Sequence, residues 1–120
     1  MADDWARPVV HWAIEARDAE RQREFYGRLF NWTIGEGPIM NIGAGLGGPE
    51  PGPAGHLQQG ERTGVTLYVQ VRDLRASLAL TAELGGTVVS GPVDVPYSRL
   101  VQITDPQGAS VTLSQFKMPE

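Results

Sequence analysis

Apolar and polar residues alternate along two stretches of this chain, residues 9–16 and 64–71. Because successive side chains of a strand point to opposite faces, such alternation predicts two strands, each with one apolar and one mixed face. The apolar face of the first strand would bury Trp12 and Ile14. The mixed faces, which we expect to be available to a ligand, carry His11, Ala13 and Glu15 in the first stretch and Thr66, Tyr68 and Gln70 in the second.

An aspartate follows each predicted strand, and a helical pattern follows each aspartate. Asp18 and Asp73 are placed to accept hydrogen bonds from the unpaired N–H groups of a first helical turn. The spacing of apolar residues predicts helices over 19–31 and 74–84. A Gly-Gly pair at 85–86 suits the end of the second helix.

The second half of the chain repeats the order of the first half. A shift of 55 positions places Val10 on Val65 and the first Arg-Asp pair on the second, which indicates an internal repeat. We therefore predict a single domain of two β-α-β-β-β modules, at about 8–48 and 64–116. They are joined by a connector at 49–63 that is too rich in Pro and Gly for a regular element. The remaining strands are predicted at 32–34, 38–42 and 46–48 in the first module and at 87–89, 99–103 and 109–116 in the second.

The composition is that of a soluble globular domain. The chain has 120 residues, of which 41% are hydrophobic and 20% charged. A net charge of −4 without any Lys/Arg cluster argues against a nucleic-acid partner, and the lack of cysteine removes disulfides and thiolate chemistry. No secretory signal and no apolar run of the ~20 residues that span a membrane are present, so we expect a cytoplasmic protein without a membrane partner.

Several motifs together resemble the vicinal oxygen chelate superfamily, which includes glyoxalase I, the bleomycin-resistance proteins and the extradiol dioxygenases. They are the opening strand with Val10-His11, the run Phe-Tyr-Gly-Arg-Leu-Phe-Asn-Trp at 25–32, and the turn Asp-Pro-Gln-Gly at 105–108 before the last strand. The resemblance covers roughly residues 8–116. It implies an α+β fold in which two βαβββ modules form an incurved mixed sheet with a cleft, the helices lying on the outer face. It also makes a homodimer one of the assemblies to be expected.

The resemblance implies that metal-using members hold their ion with four ligands, from the opening and last strands of each module. The corresponding positions in this chain are His11, Thr66, Thr112 and either Gly47 or Gly48. A hydroxyl or a glycine does not replace a carboxylate as a ligand for a divalent ion. With one expected ligand present, the sequence predicts no conventional metal site and no cofactor.

Two classes of function fit these observations. The first is a small-molecule binding protein of the glyoxalase/bleomycin-resistance type, which holds an apolar or aromatic ligand in the cleft. Its expected ligand contacts are His11, Ala13, Thr66, Tyr68, Gln70, Tyr97 and Thr112. The alternative is a glyoxalase-like lyase or isomerase in which His11 and Glu15 transfer protons. That enzyme would be metal-free or would use an atypical divalent metal, to which Glu50 and His56 of the connector could contribute. A third reading is an interaction domain that mediates dimerisation.

Overall fold

The computed structural model describes residues 6–43 and 52–117. Over these ranges the chain forms seven strands and two helices, with parallel and antiparallel strand pairs, so the predicted α+β class is confirmed. None of the helices in this part of the chain is long and apolar enough to cross a membrane. The chain divides into two compact units. The N-terminal unit is His11–Thr66, and the C-terminal unit is Leu67–Glu120 together with Met1–Val10, as far as these ranges are described.

The N-terminal unit is built from three strands and one helix. β3 runs parallel to β1 and antiparallel to β2. The register aligns Ile14, Leu57 and Met40 across the three strands, so their side chains share one face under the helix. That face is the core of the unit, and Leu57 is only 1% exposed. The elements are β1 (Val9–Ala16), α1 (Ala19–Phe30), β2 (Ile39–Ile42) and β3 (Gly55–Gln59).

The predicted connector at 49–63 is wrong in one respect, because it contains the whole of β3. Its local pattern offers a single large apolar residue, Leu57, beside a Pro- and Gly-rich run. The strand forms because it pairs with β1 on one side and β2 on the other. Tertiary pairing therefore decides the conformation of this segment, not local propensity. The short strand predicted at 46–48 lies outside the described residues.

Aromatic side chains complete the core of the N-terminal unit. Trp32 packs against Trp12, Tyr26 and Phe30, with ring centroids 5.1–5.6 Å apart. The Trp12 ring also covers Gly55, where a Cβ atom would overlap it. The strand predicted at 32–34 is reduced to one bridge, between Ile34 and Ile42.

The C-terminal unit repeats this arrangement with one more strand. β7 lies between β4, to which it is parallel, and β6, to which it is antiparallel, and β5 pairs with the other side of β6. The strand predicted at 87–89 extends to Val95. The buried core consists of Val71, Leu74, Val101 and Leu113. The elements are β4 (Gly64–Val71), α2 (Leu74–Glu83), β5 (Thr87–Val95), β6 (Ser98–Thr104) and β7 (Ser110–Phe116).

Both aspartates predicted to cap helices do so. Asp18 Oδ1 accepts a hydrogen bond from Arg21 N at 3.1 Å, and Asp73 Oδ1 accepts one from Ala76 N at 3.1 Å. These bonds satisfy an N–H group of the first turn that has no partner within the helix. The predicted repeat of strand, aspartate cap and helix is therefore confirmed.

A second pair of caps comes from the last strand of each unit. Gln59 Oε1 accepts from Ala19 N at 2.9 Å, and Gln115 Oε1 accepts from Leu74 N at 2.6 Å. Gln59 also donates from Nε2 to the carbonyl of Arg17. The two glutamines are equivalent in the repeat, which identifies β3 and β7 as corresponding strands.

Candidate functional site

One face of β1 and β3 carries polar side chains, while the other face packs under α1. The parallel register pairs Ala13 with His56 and Glu15 with Gln58. Because side chains alternate along both strands, His11 shares the face of these four residues. We call the face formed by His11, Ala13, Glu15, His56 and Gln58 the histidine face.

Hydrogen bonds join three side chains of the histidine face into a chain. His11 Nε2 lies 2.9 Å from His56 Nδ1, and His56 Nε2 lies 2.9 Å from Gln58 Oε1. A carboxamide oxygen only accepts, so His56 donates from Nε2 to Gln58. A neutral imidazole carries a single N–H, so His56 Nδ1 accepts and His11 donates from Nε2. The bond to Gln58 thus determines the tautomers of both histidines.

Burial keeps His11 in its neutral form. His11 is half-buried, and burial lowers its pKa below the ordinary value of 6.5, with a second contribution from the nearby charge of His56. The imidazole rings have centroids 5.1 Å apart and are tilted by 32°. Two protonated rings at this separation would repel each other, which further disfavours the protonated form of His11.

Glu15, which the sequence suggested as a proton carrier together with His11, makes its hydrogen bond to the backbone of another segment. Its Oε2 accepts a hydrogen bond from the backbone N–H of Arg62 at 3.2 Å. Its side chain also lies directly over Gly60, where a Cβ atom would collide with the carboxylate. His11 is hydrogen-bonded to His56. The structure thus gives a hydrogen bond between His11 and His56, while the role of His11 and Glu15 in proton transfer stays a prediction.

The other predicted ligand contacts lie on β4, β7 and one turn. In the C-terminal unit the register pairs Tyr68 with Thr112, which is buried, and Gln70 with Ser114. Burial raises the pKa of the Tyr68 phenol above its ordinary value of 10.0. Tyr97 lies in the β5–β6 turn, is 62% exposed, and accepts a bond from Lys117 N through its carbonyl. Thr66 is in β4, at the end of the N-terminal unit.

His56 and Gln58 are missing from the predicted ligand contacts, although the sequence contains a signal for them. A shift of 56 positions aligns the segment His-Leu-Gln-Gln at 56–59 with Thr-Leu-Ser-Gln at 112–115, with identities at the Leu and at the last Gln. This alignment makes His56 the counterpart of Thr112. The expected counterpart, Gly47 or Gly48, follows from the strand predicted at 46–48, and both glycines lie outside the described residues.

Comparison with known protein families identifies the family of this chain. The family described as "Glyoxalase-like domain" matches residues 11–114, which is most of the sequence. The chain belongs to the glyoxalase-like domain family. The match includes the whole histidine face and ends within β7, so the resemblance noted from the motifs is confirmed. No curated protein shows a significant sequence match to this glyoxalase-like protein.

Solved structures share the fold of this glyoxalase-like protein at low sequence identity. A hypothetical protein from Bacillus halodurans has a TM-score of 0.66 at 11% identity, over 97% of this chain and 99% of its own. A glyoxalase/bleomycin resistance protein/dioxygenase superfamily member from Vibrio splendidus has a TM-score of 0.64 at 13% identity, over 92% and 99%. Methylmalonyl-CoA epimerase from Mycobacterium tuberculosis has a TM-score of 0.60 at 18% identity, over 92% and 88%. At these identities the comparison shows a common fold.

The side chains at the expected ligand positions do not fit a conventional divalent metal site. With β3 in place, those positions are His11, His56, Thr66 and Thr112, which are two imidazoles and two hydroxyls. Catalytic zinc sites have three N, O or S ligands from His, Asp, Glu or Cys, and magnesium and calcium prefer carboxylates. In residues 6–43 and 52–117, no three His, Cys, Asp or Glu side chains cluster as a metal would require. The alternative of an atypical divalent metal would have the imidazoles of His11 and His56 as its nitrogen ligands here.

Proposed function

We propose that this glyoxalase-like protein binds a small apolar or aromatic molecule at the histidine face, without a conventional metal. The observation that carries the proposal is the chain from His11 through His56 to Gln58, in which three polar side chains hold one another in defined orientations. Small-molecule sites typically combine apolar walls with a few polar groups of fixed orientation. A histidine pair organised by its own hydrogen bonds meets that description.

The chemistry of the pair favours a neutral aromatic or hydrogen-bonding ligand. Neutral imidazoles present flat aromatic faces and can stack on a ligand ring. Ala13 pairs with His56 in the register, and its methyl group is buried beside the rings. The lowered pKa of His11 disfavours a positive charge, and the histidine pair therefore gives little attraction for an anion.

Nuclear magnetic resonance of the two histidine rings tests this proposal directly. The chain has two histidines in total, so each ring gives an assignable signal. Indole, 2-naphthol and coumarin serve as neutral aromatic probes, and we expect at least one to shift both ring signals in a saturable manner. Leucine in place of His11 should weaken that binding by about tenfold or more, because a ligand-contacting hydrogen bond and a stacking surface are lost together. Gln22→Ala, on α1 at the opposite face of the sheet, is the matched control.

The proposal fails if none of the probes moves the ring signals while they do bind elsewhere on the protein. It also fails if His11→Leu and Gln22→Ala bind the probes with equal affinity.

A second function, proton transfer in an isomerase or lyase reaction, has one observation in its favour. A neutral His11 at pH 7 can accept a proton from a carbon acid, and His56 then lies within hydrogen-bonding distance to share the resulting charge. In this proposal His56 takes the place that the sequence suggested for Glu15. A solved neighbour is methylmalonyl-CoA epimerase, so its named compound is a reasonable carbon acid to try.

Deuterium uptake by methylmalonyl-CoA in D₂O, followed by mass spectrometry, distinguishes the two functions. Proton transfer predicts uptake that His11→Ala abolishes and that Glu15→Gln leaves largely intact. Uptake at the uncatalysed rate with the native protein, alongside saturable binding of the aromatic probes, supports the binding function alone.

A further inference from the structure

The C-terminal unit contains a pocket of about 560 Å³ between the first turns of α2 and the strands β5 and β6. Its apolar lining comes from Leu74 and Leu78 of the helix and from Pro92 and Val101 of the strands. Val101 is 2% exposed and belongs to the core, so the pocket reaches the hydrophobic interior of the unit. The volume lies in the range that is usual for small-molecule sites. Every lining residue belongs to the C-terminal unit, whereas the histidine face belongs to the N-terminal unit.

The internal repeat shows how the lining of this pocket differs between the two units. The position of Leu78 in α2 corresponds to Arg23 in α1 under the shift of 55. Arg23 extends across its unit and donates from Nε to the carbonyls of Ile34 at 3.1 Å and Gly35 at 3.0 Å. Leu78 is shorter and has no group that could make such bonds, so its side chain adds apolar lining to the pocket where α1 has a cation.

Cations dominate the rim of the pocket. Arg75, Arg99 and Lys117 line it together with one carboxylate, Asp73, which accepts the capping bond from the α2 backbone. Arg99 and Lys117 also share Asp94, at 2.8 and 3.3 Å. A guanidinium has five donors and an ammonium three, so both cations can donate to a ligand while they hold Asp94. The rim thus has more cations than carboxylates in a chain whose net charge is −4.

The α2 N-terminus adds to this positive potential. The ten-residue helix begins at Leu74, next to the rim, and its first turn has no acidic residue. The positive end of the helix dipole therefore lies beside the three cations.

We propose that this pocket binds a small organic carboxylate with an aryl or alkyl body. The apolar body occupies the space between Leu78, Pro92 and Val101, and the carboxylate lies at the rim against Arg75 and Lys117. This site is separate from the histidine face. It takes an anionic ligand, whereas the histidine face favours neutral molecules.

Titration of the whole protein with 2-naphthoate, followed by backbone amide nuclear magnetic resonance, tests the site. 2-Naphthamide is the neutral control, with the same ring and nearly the same shape. We expect 2-naphthoate to bind with a dissociation constant of roughly 1 mM or tighter, the range usual for a ligand of this size, and to shift the amides of Leu74, Leu78 and Lys117. The naphthamide should bind at least about twofold more weakly, since it lacks the charge that the cations recognise.

Three variants locate the ligand. Arg75→Ala and Lys117→Ala should each raise the dissociation constant by about two- to fivefold, as expected for exposed charge pairs. Arg28→Ala makes the same charge change on α1, where its side chain is 83% exposed, and should have no effect. Leu78→Trp should abolish binding by filling the pocket, provided that its circular dichroism matches the native spectrum. If that variant does not fold, the two alanine variants decide the question.

Equal affinity for 2-naphthoate and 2-naphthamide would overturn the proposal. So would an equal loss of affinity in Arg75→Ala and Arg28→Ala, or a set of shifted signals confined to His11 and His56. The absence of saturable binding up to about 5 mM would overturn it as well.

Discussion

The helix caps formed by Gln59 and Gln115 allow a quantitative test of how much each cap contributes to the free energy of unfolding. The perturbation is Gln→Met at Gln59 and at Gln115, which keeps the length of the side chain and removes its amide. In the native protein the amide oxygens accept the N–H of Ala19 at 2.9 Å and of Leu74 at 2.6 Å. Both N–H groups belong to residues that are at most 5% exposed, so water cannot easily replace the lost acceptor.

The expected magnitude follows from the cost of leaving a buried donor without a partner. That cost is about 1–3 kcal/mol, and the extra apolar contact of the methionine offsets part of it. We expect each variant to lower the free energy of unfolding by about 1–2 kcal/mol. Gln59→Met should have the larger effect, because Gln59 also donates to the carbonyl of Arg17.

Urea unfolding followed by circular dichroism measures these differences, with Gln107→Met as the control. Gln107 is exposed in the turn before β7, so its replacement should change the unfolding free energy by less than about 0.5 kcal/mol. The reasoning is refuted if Gln59→Met and Gln115→Met are as stable as the control. Gln59→Met should also shift the imidazole signal of His56, three residues away on β3, whereas Gln115→Met should leave that signal unchanged.

Three further outcomes are expected. The free energy of unfolding should decline as the pH falls through about 6.5 and level off below the lowered pKa of His11, because His11 binds a proton more readily in the unfolded chain than in the folded one. Urea unfolding between about pH 5 and 8 measures this trend, and the dependence of the unfolding free energy on pH should be shallower for His11→Asn. Gly55→Ala should destabilise the protein by about 1–3 kcal/mol through overlap with the Trp12 ring, whereas Gly64→Ala, whose added Cβ meets nothing within 4 Å, should be nearly neutral in thermal unfolding. Ultraviolet titration should show the Tyr68 phenol ionising above its ordinary pKa of 10.0, and Tyr68→Phe should remove that component; an unchanged titration curve would contradict the effect of burial on Tyr68.

Most of the fold could be predicted because its signals are local. The alternation in β1 and β4 and the aspartates at 18 and 73 specify strand, cap and helix within about a dozen neighbouring residues. The order of these elements then repeats along the chain. The predicted helices begin at the observed residues and each extend one residue too far, because Asn31 and Leu84 act as C-caps.

β3 could not be predicted in this way because its stability comes from other segments. Leu57 gains its environment from Ile14 and Met40, which lie far away in the sequence and align with it only after the strands pair. Proline and glycine before the strand give a stronger local signal than its single leucine does. The glutamine at 59 is informative only when Gln115 is recognised as its equivalent.

The sequence by itself determined the α+β class, the repeated module and the helix caps, because each depends on periodicity or on residues close together in the chain. Only the tertiary structure decided which side chain accompanies His11. His56 lies 45 positions away in the sequence, and the parallel pairing of β3 with β1 brings its Nδ1 atom to 2.9 Å from His11 Nε2. Glu15 instead accepts a hydrogen bond from the backbone N–H of Arg62. The partner of a strand is determined by the burial and pairing of the whole sheet. A local pattern in the sequence records neither of them.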